Sequence, residues 1–341
     1  MLNCVTIGDL HFDKLRKLFP TNHVTLICNE MRRVCNYAVE KGIKHVIQLG
    51  DVCDTSRMSY ESHVGLINIL HEFSNTLVFH FILGNHDFDE FGVNSLQILE
   101  TIKRTGGLQH VNIYTKPEQV VIDDVLVNFL PYPHKKALPG DRQSVNVAHF
   151  EVSGSTRDNG KTIENDNKIE DDNIWLIGHL HTPHDMSNKV RYSGTLIQYN
   201  FGENENKGFL DCKFKYDENG VLKHKIERVL QLSRVRLINL EIATIACFNK
   251  IESDPLIKYK IWLQNEIIVD FDVTARYPNV VKVQGYTNKE DLIASIEQEI
   301  INTEYTGEVS FDVKEELSNW LTPKLNDEAK LARTLELMES L

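Results

Sequence analysis

"LVFHFILGNHD" (Leu77–Asp87) joins a seven-residue, almost wholly apolar run to a turn that carries an asparagine, a histidine and an aspartate. The run has the length of a buried strand, and Gly84 lets the chain turn sharply behind it. Four other short clusters are built the same way: "GDLH" (Gly8–His11), "GDVCD" (Gly50–Asp54), "AHFEVSG" (Ala148–Gly154) and "GHLH" (Gly178–His181). Each follows a strand-like run. In an open α/β sheet, ligands bind just beyond the carboxyl ends of the strands, so all five clusters are set to converge.

Outward from that stretch, strands and helices alternate. Leu2–Ile7, Lys44–Leu49 and Leu77–Leu83 read as strands. Val24–Lys41 reads as a helix, with Val24, Ile27, Met31, Val34 and Ala38 on one face, and Tyr60–Ser74 and Asn94–Thr105 read as two more. This order predicts a largely parallel sheet covered by helices. Further on, Val111–Tyr114, Val120–Ile122, Val125–Leu130, Val145–His149, Ile174–Ile177, Val190–Tyr192 and Phe209–Phe214 predict a second sheet packed on the first. The expected fold class is therefore α/β, a four-layer sandwich of two mixed sheets with helices on both outer faces. Between two of these strands, Ser155–Asn173 is a polar stretch with almost nothing to bury and reads as a mobile, solvated loop despite its many carboxylates.

From about Val235 the pattern changes. "RLINLEIATI" (236–245) and "NEIIVDFDVTA" (265–275) alternate like strands, and Lys289–Asn302 reads as a helix behind a start signal at Thr287 and Asn288. Two short helices, Val313–Trp320 and Asp327–Ser340, are separated by "TPK". Ala329, Ala332, Leu335, Met338 and Leu341 form an apolar stripe at the end. The expected domains are 1–232, a small α+β unit at 235–305, and a helical segment at 310–341.

With 341 residues, 41% hydrophobic and 25% charged, the composition suits a soluble globular protein. No apolar run approaches the roughly 18 residues of a membrane-spanning helix. "MLNCVTIGDLHF" lacks the basic start and small-residue cleavage site of a signal peptide. The six cysteines, Cys4, Cys28, Cys35, Cys53, Cys212 and Cys247, contain no Cys-x-x-Cys pair, which fits reduced thiols in a cytoplasm. A net charge of −12 argues against gripping nucleic acid through a basic surface of its own.

The clustered side chains are carboxylates, imidazoles and one amide, a mixed oxygen and nitrogen set suited to Mn²⁺, Fe or Zn²⁺. Asp-x-His and His-x-His put alternate side chains on one side of an extended segment. A shared carboxylate can hold two ions about 3.5–4 Å apart. Of 14 histidines, His11, His86, His149, His179 and His181 fall in the clusters. His80, inside the apolar run, reads as a hydrogen-bonded core histidine.

Taken in order, D-x-H, G-D-x-x-D, G-N-H-D, H and G-H-x-H, the motifs resemble the signature of the calcineurin-like metallophosphoesterase superfamily, over roughly Met1–Leu232. The resemblance implies one ion held by Asp9, His11, Asp51 and His181. It implies a second held by Asp51, Asn85, His149 and His179. It makes His86 a substrate-facing general acid or charge stabiliser, oriented by a hydrogen bond from Asp54. "GDVCDTSR" lacks the Arg-Gly pair of the phosphoprotein phosphatases. "HFEVSG" and "VRYSGTLIQYNFGE" (Val190–Glu203) resemble instead the nuclease subunit of the SbcCD complex and its counterparts, with the phage versions closest in length. Several cellular relatives carry a histidine where Asp54 stands.

That likeness implies a DNA exo- and endonuclease with two divalent ions, Mn²⁺ or Mg²⁺, acting in the cytoplasm, or the host's if phage-encoded. The 235–305 unit would cap the site and recognise DNA. The C-terminal helices would bind an SMC-like ATPase of SbcC type, and the nuclease domain would form a homodimer. Lys14, Arg16, Lys17, Arg57, Lys135 and Lys136 are candidate DNA contacts. The ATPase would supply the grip that the acidic chain lacks. Two other functions fit the same residues: a stand-alone phosphatase or phosphodiesterase for small phosphoesters, and a non-catalytic scaffold, which the full ligand set disfavours.

Overall fold

A computed structural model describes residues 1–305 apart from 159 and 232. Met1–Ile301 is one compact unit and Asn302–Leu341 a second, of which 302–305 are described. The two expected C-terminal helices lie outside the described residues.

In chain order the first elements are β1 (Leu2–Ile7), α1 (His23–Glu40), β2 (His45–Gln48), α2 (Tyr60–Glu72), β3 (Val78–Ile82), α3 (Gln97–Arg104) and β4 (Val111–Tyr114). The next are β5 (Glu118–Ile122), β6 (Val125–Leu130), β7 (Val145–His149), β8 (Ile174–Gly178), β9 (His184–Asp185), β10 (Val190–Tyr192), β11 (Gly208–Tyr216) and β12 (Leu222–Leu230). One sheet runs β12-β11-β1-β2-β3-β4 and another β5-β6-β7-β8-β10-β9. Both are mixed. β1 to β4 are parallel, with β11 antiparallel to β1. β6, β7, β8 and β10 are parallel, with antiparallel β5 and β9 at the edges.

Strand alternation sorts side chains into layers. Val5, Ile7, Val46, Phe79 and Phe81 pack with Ile27, Met31 and Val34 of α1 and Leu66, Ile69 and Leu70 of α2. The opposite face of the same strands gives Cys4, Ile47 and Ile82, which meet Val127, Phe129, Val147 and Leu176 of the second sheet. Each such fully buried aliphatic or aromatic side chain contributes about 1.5–3 kcal/mol, so this inter-sheet layer holds the sandwich shut. His80 lies within it, its Nε2 3.1 Å from His45 Nδ1 and its Nδ1 3.1 Å from the Tyr114 hydroxyl, as expected of a core histidine.

The α/β sandwich of two mixed sheets is present, but its fourth layer differs from expectation. Leu130, Ala148, Trp175, Ile177 and Tyr192 on the outer face of the second sheet pack with Phe150, Val152 and Ile163, and no described helix covers them. The segment read as a solvated loop therefore serves as a cover. Ile163 is buried, its carbonyl accepts the Gly154 amide at 2.8 Å, and its own amide donates to the Ser155 carbonyl at 2.8 Å. Polar composition did not prevent this, because Asn165 and Asn167 donate to the Glu151 carbonyl and satisfy the loop internally.

β13 (Arg236–Ile242), β14 (Ile257–Gln264), α4 (Val273–Arg276), β15 (Val280–Tyr286) and α5 (Lys289–Tyr305) complete the described chain. β13, β14 and β15 form a parallel three-stranded sheet with its own core around Ile242, Phe248, Tyr259, Ile261 and Val273. Asn288 starts α5 by accepting the Asp291 amide at 2.9 Å. The strand expected at 265–275 is absent: Ile267, Val269 and Phe271 line that core from an unpaired segment, and Asp272 caps α4.

Candidate active site

The parallel strands of both sheets deliver the motif residues to one edge. Asp9 and His11 follow β1, Asp51 follows β2, Asn85 and His86 follow β3, His149 ends β7, and His179 and His181 follow β8. The loops are cross-tied, since the Asp51 carbonyl accepts the amides of Leu10 and His11 at 2.9 and 3.0 Å. Gly84 and Gly178 allow this closeness: a Cβ at the first would stand 2.0 Å from Asp51 Oδ1, and one at the second 2.2 Å from the Leu49 carbonyl. His11, Asp51 and His179 have φ of 40°, 53° and 84°, a region costly for side-chain-bearing residues and common at functional sites.

Four groups of donor atoms, each within 4.8 Å, result among the described residues, and two of them gather the expected ligands: Asp9, His11 and His181, and Asp51, His149 and His179; the others are His11, Asp54 and His86, and Asp158, His181 and Glu203. His11 Nε2 and His181 Nε2 lie 3.0 Å apart, each 3.8 Å from Asp9 Oδ2. Asn85 Oδ1 is 3.0 Å from His149 Nε2 and 3.0 Å from His179 Nδ1, joining the second group. Between the groups stands Asp51. Its Oδ1 accepts the His86 amide at 2.9 Å, leaving Oδ2 3.2 Å from His149 Nε2 and 3.8 Å from His11 Nε2.

The donor set fits divalent cations. Asp9 Oδ2 is buried with no hydrogen-bond partner in the structure, and the His11 and His181 Nε2 atoms converge to 3.0 Å beside it. Burial opposes charge throughout. Even so, His149 and His86 hold the Asp51 carboxyl well below its usual range, and Asp51 and Asp9 push His149 up to about 9. His11, buried and near Lys14, is driven well below the ordinary imidazole range, which keeps its ring a neutral donor.

His86 is half-buried, with Nδ1 2.9 Å from the main-chain carbonyl of Asp54. The orienting bond expected from Asp54 thus comes from its backbone. The Asp54 carboxylate turns instead to Lys14 Nζ at 3.0 Å, and Oδ1 lies 3.6 Å from His11 Nδ1. Arg16, Lys17 and Arg57 are exposed on the loops after β1 and β2. Lys135 and Lys136 are exposed on the loop after β6, which the Tyr132 amide ties to the Leu83 carbonyl beside the Gly84 turn.

Four further carboxylates, to which the sequence reading gave no role, reach the site. Glu203 accepts from His181 Nδ1 at 2.9 Å, and Glu151, gripped by Arg157 at 2.9 and 3.0 Å, has an oxygen 3.7 Å from His179 Nε2. Asp158 comes within 3.8 Å of His181 Nδ1 from the covering loop. Asp87, fully buried, accepts the amides of Val52, Cys53 and Gly84 and the Ser95 hydroxyl, fastening the Gly84 turn to the Asp51 loop.

The model of the family described as calcineurin-like phosphoesterase matches residues 3–221. The chain belongs to that family. This phosphoesterase is accordingly a hydrolase of phosphoester bonds from a family that uses divalent metals. It is 23% identical over 276 residues to "Putative phosphoesterase 244L" of Invertebrate iridescent virus 6, covering 75% of this chain and 91% of that protein. It is 27% identical over 211 residues to the SbcD component of the nuclease SbcCD of Staphylococcus saprophyticus, covering 50% of this chain and 55% of the relative. Among solved structures it is similar to AQ665 of Aquifex aeolicus, a protein of unknown function, at 18% identity, with 39% of this chain and 62% of that one covered and a TM-score of 0.23. No helix among the described residues of the phosphoesterase is long and apolar enough to cross a membrane.

Proposed function

We propose that this phosphoesterase is a two-metal DNA nuclease of the SbcD type that cleaves phosphodiester bonds with Mn²⁺. The observation that carries the two-metal reading is the Asp51 carboxylate, whose Oδ2 lies 3.2 Å from His149 Nε2 of one donor group and 3.8 Å from His11 Nε2 of the other. Asp9, His11 and His181 would hold one cation, and Asn85, His149 and His179 the other. When bound, the cations supply Lewis-acid activation of water and neutralise phosphate charge. His86 acts on the substrate side. Its Nδ1–H donates to the Asp54 carbonyl, so Nε2 is the atom left to face the departing sugar oxygen, to which the imidazolium form gives its Nε2 proton and becomes the neutral ring.

Support for DNA comes from the likeness to the Staphylococcus nuclease and from the exposed Arg16, Lys17, Arg57, Lys135 and Lys136 on the loops that follow β1, β2 and β6. In this reading an SMC-like ATPase, bound through 310–341, completes the DNA grip, and 235–305 caps the site. The chain acts in the cytoplasm. One observation favours a second reading, a stand-alone enzyme for small phosphoesters: the net charge of −12 weakens any hold on a polyanion. A Mn²⁺-dependent assay on duplex DNA ends and on nucleoside phosphates separates them. Shortened duplex with idle nucleoside phosphates is expected; efficient turnover of the small esters alone would overturn the nuclease reading.

A further inference from the structure

Behind His181, on the side away from Asp9 and His11, lies a charged pair sealed from solvent. Glu203 and Lys207 have fully buried side chains and stand 2.7 Å apart. Both carboxylate oxygens of Glu203 are fully used. Oε1 accepts from His181 Nδ1 at 2.9 Å and Asn200 Nδ2 at 3.0 Å, and Oε2 from the Tyr199 amide at 3.1 Å and Lys207 Nζ at 2.7 Å. Lys207 Nζ also donates to the His181 carbonyl at 3.2 Å. The pair therefore grips His181 twice, by its ring and by its main chain.

Such a pair is a poor stabiliser. Taking both charges out of water costs about what their attraction returns, and an apolar pair of the same volume often folds as well. Its value lies elsewhere. A carboxylate on the outward nitrogen of an imidazole fixes which nitrogen carries the proton and raises the donor strength of the other. The neighbouring histidine is held more loosely, since Glu151 lies 3.7 Å from His179 Nε2 and the His179 side chain is 28% exposed.

We infer that Glu203, backed by Lys207, is a positioning residue that keeps the His181 proton on Nδ1 and aims the Nε2 lone pair at the cation shared with Asp9 and His11. This rests on the reading of His181 as a metal ligand. It makes that cation site a rigid one, set by a buried pair rather than by the loop's own conformation.

Two measurements on the full chain test it, neither of which uses a substrate. The first is calorimetric titration of the metal-free protein with Mn²⁺, comparing wild type with E203Q/K207M, which removes both charges and keeps the volume. One binding event should weaken about 10–100-fold, the other should move less than about twofold, and the metal-free variant should melt no lower than wild type. Unchanged affinity for both ions would overturn the inference. The second is nitrogen NMR of histidine-labelled wild type loaded with diamagnetic Zn²⁺, with His181 assigned through H181N. A proton on Nδ1 and metal on Nε2 are expected; a proton on Nε2 overturns the inference even if the double variant does not fold. Should the protein bind Mn²⁺ as expected yet leave DNA intact, the nuclease reading alone fails.

Discussion

His86 separates binding from chemistry. Its amide donates to Asp51 Oδ1, its ring Nδ1 hangs on the Asp54 carbonyl, and the ring packs edge-on against His11 with centroids 5.0 Å apart. H86A should therefore lose about 10²–10⁴-fold in phosphodiester hydrolysis and still titrate with two Mn²⁺. D51N should lose both hydrolysis and metal; equal metal loss in the two variants would contradict these roles. His80 gives a second test, of stability. Burial, with His45 and Lys103 nearby, lowers its pKa to about 3, against about 6.5 in an unfolded chain. Between those values the unfolded state binds the extra proton, so stability falls as pH drops through the window and is complete above it. Replacing the imidazole with a ring that stays neutral, in H80F, should remove on the order of 2 kcal/mol of the stability lost between about pH 7 and 5. Urea midpoints at the two values, taken on metal-free protein, measure this as a slope, whatever H80F does to absolute stability.

At the scale of elements, the covering segment is the point of greatest consequence. Ile163 is 4% exposed in the layer outside the second sheet, so I163A should cost about 2–5 kcal/mol in urea unfolding. A loop in solvent would give less than about 0.5 kcal/mol. The strand-end clusters were legible because their signals are local: a short apolar run, in most of them a glycine, then a ligand-type side chain. Residues 265–275 show where that logic stops. Alternation records which side chains face a core, and Ile267, Val269 and Phe271 do so without a partner strand. β14 was hidden by Lys258 and Lys260, whose chains lie over Phe19 and Trp262 rather than in water. Glu203, Glu151 and Asp158 escaped for a different reason. A carboxylate acquires its use from what tertiary folding sets beside it, and no spacing rule links Glu203 to His181.

For the whole molecule, a charge of −12 and the proposed reliance on an ATPase partner predict weak DNA binding by the chain alone. Affinity should fall steeply with added salt, and nanomolar binding in about 200 mM salt would refute this. The placement of the donor groups has a further consequence. Neither group belongs to one sheet: Asp9 and His11 reach His181 across the sandwich, and Asp51 reaches His149 and His179. The cations proposed there would act as rivets through two plates. Stripping them with a chelator should let the plates slide as well as frayed loops open, and amide exchange in β2 and β7 should quicken in step. If exchange rises at 9–12 and 179–182 alone, the rivets bear no load.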